Sequence, residues 1–286
     1  MQPFMEQIGG NWIFLALRRI FLTSQTFALL DGLFRLDGKV AIVAGGYGGI
    51  GSVVCQGLAI VGAKVVVAGR NGMRAETLAS TIKDGGHDAS AAPFDAENVA
   101  DLRRMVDDTV SRYGRLDILV NCIGLNREEY LLDVTEEKFD EVYAGNLKSA
   151  FFLAQAAAKH MIALGQGGKQ VHLGSVRTLL GLRGRGYAAY CAAKGGLGTM
   201  CRQLAAELAP HQINVNVIAP TFVRTEQVAA MLSDPQFYGA LTSRIPLGRI
   251  AEPEDVMQAV LFLVAPASNF ITGQTLFLDG GITATQ

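Results

Sequence analysis

A glycine-rich stretch, Gly45-Gly46-Tyr47-Gly48-Gly49-Ile50-Gly51, lies between a β-branched run, Lys39–Ala44 (KVAIVA), and a helical pattern over Ile50–Val61. Strand, glycine turn and helix in that order constrain the fold more than any other feature of the chain. Glycines let the backbone turn sharply and approach a bound pyrophosphate, whose charge the amides and dipole of a helix N-terminus would meet. A second strand, Lys64–Ala68 (KVVVA), follows, and the alternation continues to the C-terminus. Helical patterns fall around Glu97–Tyr113, Glu136–Leu164, Tyr190–Ala209 and Glu252–Val264, with strands at Asp117–Val120, Gln170–Leu173, Ile213–Val217 and Thr275–Leu278. Such alternation predicts an α/β fold, a parallel sheet with helices on both faces.

Composition narrows the functions open to this fold. Of 286 residues, 25 are Lys or Arg and 26 Asp or Glu, a net charge of −1. That balance lacks the basic footprint of a general nucleic-acid binder, so no nucleic-acid partner is expected. The 33 glycines exceed the roughly 20 expected of average usage, but no Gly-x-y period accompanies them. Cys55, Cys122, Cys191 and Cys201 form no CxxC pair, and His87, His160, His172 and His211 show no ligand spacing. Reduced cysteines, no metal and a cytoplasmic setting are the expectation.

The first 33 residues differ from the rest and read as an N-terminal extension, helical or poorly ordered, ahead of a single catalytic domain over residues 34–286. Trp12–Leu17 (WIFLAL) is interrupted by Arg18-Arg19 and resumes at Ile20-Phe21-Leu22. Runs this short cannot span a bilayer, which needs about 20 apolar residues, so no integral span is expected. Glu6 precedes the run and no small-residue cleavage site follows, unlike a signal peptide. Peripheral membrane contact through residues 12–22, a subunit contact and a loose terminus all remain open.

The end of the second strand addresses which dinucleotide is bound. An acidic residue there would hold the adenosine ribose hydroxyls and select NAD. The sequence instead runs Ala68-Gly69-Arg70-Asn71, with no carboxylate. A guanidinium pairs with a 2′-phosphate that a carboxylate would repel, so Arg70 favours NADP, with NAD the alternative.

A second constellation is Tyr190-Cys191-Ala192-Ala193-Lys194. Residues at i and i+4 share one helix face, which puts phenol and ammonium in the same cleft. A free phenol has a pKa near 10, and an adjacent positive charge makes its anion an accessible base. Ser175 ends the predicted strand VHLGS, and ligand sites in parallel α/β folds lie outside the carboxyl ends of strands.

From Leu36 onward the chain resembles the short-chain dehydrogenase/reductase family in its single-domain form. Gly45, Gly49 and Gly51 fit the family's TGxxxGxG turn, and Asp95 fits the aspartate after the third strand. Asn121-Cys122-Ile123-Gly124 fits NNAG, and Asn146 fits the asparagine of the following helix. Ser175, Tyr190 and Lys194 complete the tetrad. Pro220 fits the turn after the sixth strand, and Ile271-Thr272-Gly273 with Asp279-Gly280-Gly281 fits the closing signature.

The resemblance implies a Rossmann-type doubly wound parallel sheet of about seven strands. It also implies an NAD(P)-dependent oxidoreductase that transfers a hydride between NADP(H) and a small carbonyl or secondary-alcohol substrate. Tyr190 would exchange the proton, Ser175 would hydrogen-bond the substrate oxygen, and Asn146 would help relay protons through water. Lys194 would lower the tyrosine pKa and hold the nicotinamide ribose. Cofactor contacts would come from Gly45, Tyr47, Gly48, Gly49, Ile50, Gly51, Arg70, Asn71, Asp95, Ala96, Asn121, Gly124, Tyr190, Lys194, Pro220, Val223 and Thr225. Thr225–Arg244 would form a helical lid, with Val228, Met231, Leu232, Phe237 and Tyr238 either lining the pocket or packing. A homotetramer or homodimer through the long central helices is the implied assembly.

The chain departs from the family's pattern at Ala44, Cys122 and Thr221, which stand for a threonine, the second asparagine of NNAG and a glycine. None removes a catalytic atom. The interval from Ser175 to Tyr190 is longer than usual and leaves Thr178 as a rival hydroxyl. Strand ends are held rigidly, which favours Ser175. Arg177, Arg183 and Arg185 lie in that interval, and paired guanidiniums suit a substrate carboxylate; a solvated basic loop is the alternative. The LFRLDGKVAIV opening and the SVR segment resemble gluconate-type polyol dehydrogenases, pointing to a sugar acid or polyol. A 3-oxoacyl-carrier-protein reductase and a dinucleotide-binding regulator with vestigial catalysis are the rivals. Glu128, Glu129, Asp133, Glu136 and Glu137 would repel an acidic carrier if they face it.

Overall fold

The computed structural model describes residues 32–285. Seven strands form one parallel sheet in the order β3-β2-β1-β4-β5-β6-β7. They are β1 Val40–Ala44, β2 Lys64–Gly69, β3 Ala89–Pro93, β4 Ile118–Asn121, β5 Gly168–Leu173, β6 Ile213–Pro220 and β7 Thr275–Leu278. The long helices are α1 Gly49–Ile60, α2 Gly72–Asp84, α3 Val99–Tyr113, α4 Glu136–Tyr143, α5 Ser149–Leu164 and α6 Ala188–Leu208. Two short ones, α7 Glu226–Leu232 and α8 Pro235–Thr242, precede α9 Pro253–Val264.

All of β1 is buried because it is covered on both faces, and its side chains alternate between two cores. Ala41 and Val43 pack with Val54 and Leu58 of α1, Ala79 of α2 and Val260 of α9. Ile42 and Ala44 face the other way, toward Leu102 of α3, Leu153 of α5 and Leu197 of α6. This doubly wound arrangement is the one expected. Strand order reverses between β1 and β4, and a crevice opens at that switch point, at the carboxyl ends of the strands.

Local differences from the expected elements have local causes. The stretch 136–164 is not one helix: a π turn, Ala144–Lys148, separates α4 from α5. Within it Asn146 Nδ2 donates to the carbonyls of Val142 at 2.8 Å and Leu125 at 2.7 Å, fixing the bulge. The α3 helix starts at Val99 because the Asn98 side chain caps it, accepting from Ala100 and Asp101. The strand ASAAP (β3) carries no β-branched residue and pairs only with β2, so its proline ends an edge strand. Asp117 precedes β4, its carboxylate accepting from the Val40 amide at 2.9 Å.

Residues 1–31 of the expected 33-residue extension, with its apolar run over 12–22, lie outside the described residues. Among the described residues no helix is long and apolar enough to cross a membrane. Cys55 and Cys201 are buried free thiols.

Candidate active site

The glycine turn leads from β1 into α1 and is held by collisions that only glycine avoids. Gly45 has φ +76°, and a Cβ on Gly51 would overlap the Gly45 carbonyl. A Cβ on Gly49 would lie 2.7 Å from the Thr225 side chain, which seats the residue before α7 against the turn. A cleft of about 640 Å³ opens over the turn. Gly45, Tyr47, Gly48, Gly49, Ile50, Gly51, Arg70, Asp95, Ala96, Gly124 and Thr225 all line it, as expected of cofactor contacts. An open cleft over close-packed glycines, with arginines at one end, fits a phosphorylated dinucleotide.

Two expected cofactor residues stand outside both clefts. The Asn71 amide donates to the Tyr47 hydroxyl at 2.8 Å and its side chain caps α2. Asn121 is buried in β4, where its Oδ1 accepts from the Ile123 amide at 3.1 Å. Arg74 was missed. It lines the cleft with Arg70, and its guanidinium lies 5.1 Å from the Tyr47 ring centroid. The signal was present in the sequence: Arg74 lies four residues after Arg70, in the first turn of the helix that follows β2.

A second cleft of about 370 Å³ adjoins the first, sharing Ile50, Cys122, Gly124 and Thr225 with it. Ser175, Tyr190, Lys194, Pro220 and Val223 line it. Burial pushes the Tyr190 phenol up to about 12, while the Ser175 hydroxyl and the Arg177 charge act against that rise.

Lys194 is buried on the next turn of α6. Burial pulls its ammonium down to about 8, and its Nζ lies 5.7 Å from the Tyr190 ring centroid. Lys194 was expected to depress the phenol. Its Nζ donates to the Leu173 carbonyl at 2.7 Å, and the Arg177 charge also acts to lower the phenol. Asn146 is 1% exposed, and its Oδ1 has no hydrogen-bond partner. A Cβ on Gly124 would stand 3.2 Å from that Oδ1 and 3.3 Å from Lys194 Nζ, so this glycine separates the two side chains.

Thr178 does not line either cleft; its hydroxyl donates to the Lys194 carbonyl at 3.3 Å. Beneath the site, His172 is fully buried, with Nδ1 3.4 Å from Asn121 Nδ2 and Nε2 unpartnered. Burial holds its pKa down at about 4, with the Lys194 charge adding to the effect.

The three arginines before Tyr190 do not act together. Arg177 is 7% exposed and lines the substrate-side cleft, its Nη1 donating to the carbonyls of Leu180 and Gly181. Arg183 is exposed and stands outside the cleft. Arg185 forms a bidentate pair with Glu128. The expected pairing of guanidiniums on one substrate group is therefore not present. Of the acidic residues after Asn121-Cys122-Ile123-Gly124, Glu128 lines the cleft and Glu129 is paired with Lys138. In the lid region, Val228 and Met231 line the cleft, while Phe237 packs edge-on to Phe222 at 5.9 Å.

A family model described as enoyl-(acyl carrier protein) reductase matches residues 45–283. The chain belongs to the short-chain dehydrogenase/reductase family. It is 37% identical over 248 residues to 2-dehydro-3-deoxy-D-gluconate 5-dehydrogenase of Escherichia coli K12, covering 87% of this chain and 96% of that protein. It is 35% identical over 256 residues to gluconate 5-dehydrogenase of Gluconobacter oxydans, covering 88% and 98%. A solved gluconate 5-dehydrogenase from Burkholderia cenocepacia, in complex with NADP and tartrate, superposes with a TM-score of 0.86 at 36% identity, covering 90% of this chain and all of that one. As a short-chain dehydrogenase/reductase, the chain is an NAD(P)-dependent oxidoreductase acting on CH–OH and C=O groups.

Proposed function

We propose that the protein interconverts a secondary alcohol and a ketone on a small sugar acid or polyol, with NADP(H) as cofactor. Ser175, Tyr190 and Lys194, lining together the cleft that adjoins the glycine-turn cleft, carry this reading. Gly45, Gly49 and Gly51 with the α1 N-terminus would hold the pyrophosphate. Arg70 and Arg74 would hold a 2′-phosphate, and Asp95 and Ala96 would lie against the adenine. The nicotinamide, when bound, accepts or returns the hydride of the reacting carbon.

The chain's own residues handle the proton and the oxygen. In oxidation the Tyr190 oxygen takes the hydroxyl proton while Ser175 hydrogen-bonds the same substrate oxygen. In reduction the phenol returns that proton to the carbonyl oxygen. Movement of the Lys194 ammonium off the Leu173 carbonyl would bring positive charge toward the phenol and lower it from about 12. The unpartnered Asn146 Oδ1 is placed to hold a water between itself and Lys194.

Arg177 supports an anionic substrate. It is a buried cation at the cleft beside Ser175, and no acidic side chain pairs with it among the described residues. The names of the gluconate-type relatives support the same class. Residues 34–286 act in this reading as one catalytic domain of a cytoplasmic homodimer or homotetramer. Exposed aromatic rings on α4 and α5, Phe139, Tyr143 and Phe151, support an assembly. A panel of sugar acids, polyols, simple ketones and oxoacyl thioesters, each with NADP(H) and NAD(H), tests the proposal. Turnover of an oxoacyl thioester but of no sugar acid or polyol would overturn it.

A further inference from the structure

The long interval between Ser175 and Tyr190 folds into a loop docked against residues 125–134. The Glu129 amide donates to the Gly186 carbonyl at 3.0 Å, and the Tyr130 hydroxyl donates to the Gly184 carbonyl at 2.9 Å. A Cβ on Gly186 would collide with the Glu129 carbonyl. Between these two attachments Arg185 makes its bidentate pair with Glu128. The guanidinium also lies 5.7 Å from the ring centroids of Tyr187 and of Phe237 in α8.

Glu128 is the one acidic side chain lining the substrate-side cleft, among the described residues, and Arg177 and Lys194 are the cations there. An unscreened carboxylate at Glu128 would set a negative charge at the mouth of a cleft proposed to admit a negative substrate. Arg185 meets that carboxylate from outside the cleft lining. The loop keeps its two hydrogen-bond attachments, from the Glu129 amide and the Tyr130 hydroxyl, without the pair, and part-exposed ion pairs add little stability. The pair's main effect is therefore on the field inside the cleft.

We propose that Arg185 is a specificity-determining residue that neutralises Glu128, so that an anionic substrate meets the uncompensated positive charge of Arg177 and Lys194 in the cleft. Arg185 acts through Glu128 and touches no reacting atom. The inference rests on the sugar-acid reading of the site and names what lets that class enter. It also explains how an acidic residue is tolerated beside the catalytic serine and tyrosine.

D-gluconate and D-sorbitol test it, since they differ in carrying a carboxylate or a neutral hydroxymethyl group at one end. The quantity read is the ratio of kcat/KM for gluconate to that for sorbitol. Arg185→Gln should lower this ratio about tenfold at low ionic strength, with a smaller drop at about 0.2 M salt. Glu128→Gln should raise it, and the double variant should return it to within about twofold of the wild type. Glu128→Gln keeps the test open if Arg185→Gln fails to fold. A ratio unmoved in both single variants, or one that stays low in the double variant, would assign the pair a structural role and overturn the inference alone. A wild-type enzyme that oxidises sorbitol but not gluconate, or neither, would overturn the sugar-acid reading and this inference with it.

Discussion

Replacing Gly186 with alanine should separate the two loops that shape the substrate-side cleft. The added methyl would overlap the Glu129 carbonyl and crowd the Tyr130 amide, both of them backbone and unable to swing aside. Relief requires the loops to part, which breaks the Glu129–Gly186 and Tyr130–Gly184 hydrogen bonds. At about 1 kcal/mol for each bond and less than about 1 for the Arg185–Glu128 pair, the loss is at most about 3 kcal/mol. For a chain of this size that corresponds to at most about 5 °C in Tm. Gly184→Ala is the internal control. Its φ is +74° with open space around it, so it carries only the left-handed strain of about 1–2 kcal/mol. Thermal melts should rank the two variants, and kcat/KM for a sugar acid should fall in Gly186→Ala with the NADP dissociation constant unchanged, since the glycine turn lies elsewhere. Equal melting of both variants with full activity in Gly186→Ala would refute the docked-loop account.

Three further outcomes follow from the site. His172 is held at about 4 against an ordinary 6.5, so the unfolded chain binds the extra proton first and stability falls as pH drops from 6.5 to 4. The loss should reach about 3 kcal/mol below pH 4, and His172→Gln should flatten this part of the Tm-against-pH curve. Arg70→Ala should lower the ratio of NADP to NAD turnover, and an unchanged ratio would remove the basis for assigning NADP. Ser175→Ala should cut kcat by about a hundredfold or more, as loss of a transition-state hydrogen-bond donor does, while Thr178→Ala should change it far less. Steady-state rates of the two variants side by side decide between the hydroxyls.

Features that backbone geometry demands were legible in the sequence. The glycine turn could be read because Gly51 must sit against the Gly45 carbonyl, a contact any side chain would block. Tyr190 and Lys194 were legible because helical spacing alone places them together. The edge strand ASAAP was not, since burial on β2 rather than β-propensity makes it a strand. The π turn at Ala144–Lys148 leaves no local sequence mark, because it depends on Asn146 reaching Leu125 from another element. The role of Arg185 was likewise hidden. Its partner Glu128 lies 57 positions away, so three nearby arginines read as one cluster until the loop was seen docked. The tuning of Tyr190 follows the same rule: spacing named Lys194, and tertiary packing placed Arg177 within reach.

Tyr190→Phe tests the central claim most directly, because it removes one oxygen and keeps the ring beside Tyr187. Turnover of every carbonyl and alcohol substrate should fall to background while NADPH still binds, as read by titration of its fluorescence, with a dissociation constant within about threefold of the wild type. Retained turnover in Tyr190→Phe would contradict the proposed mechanism.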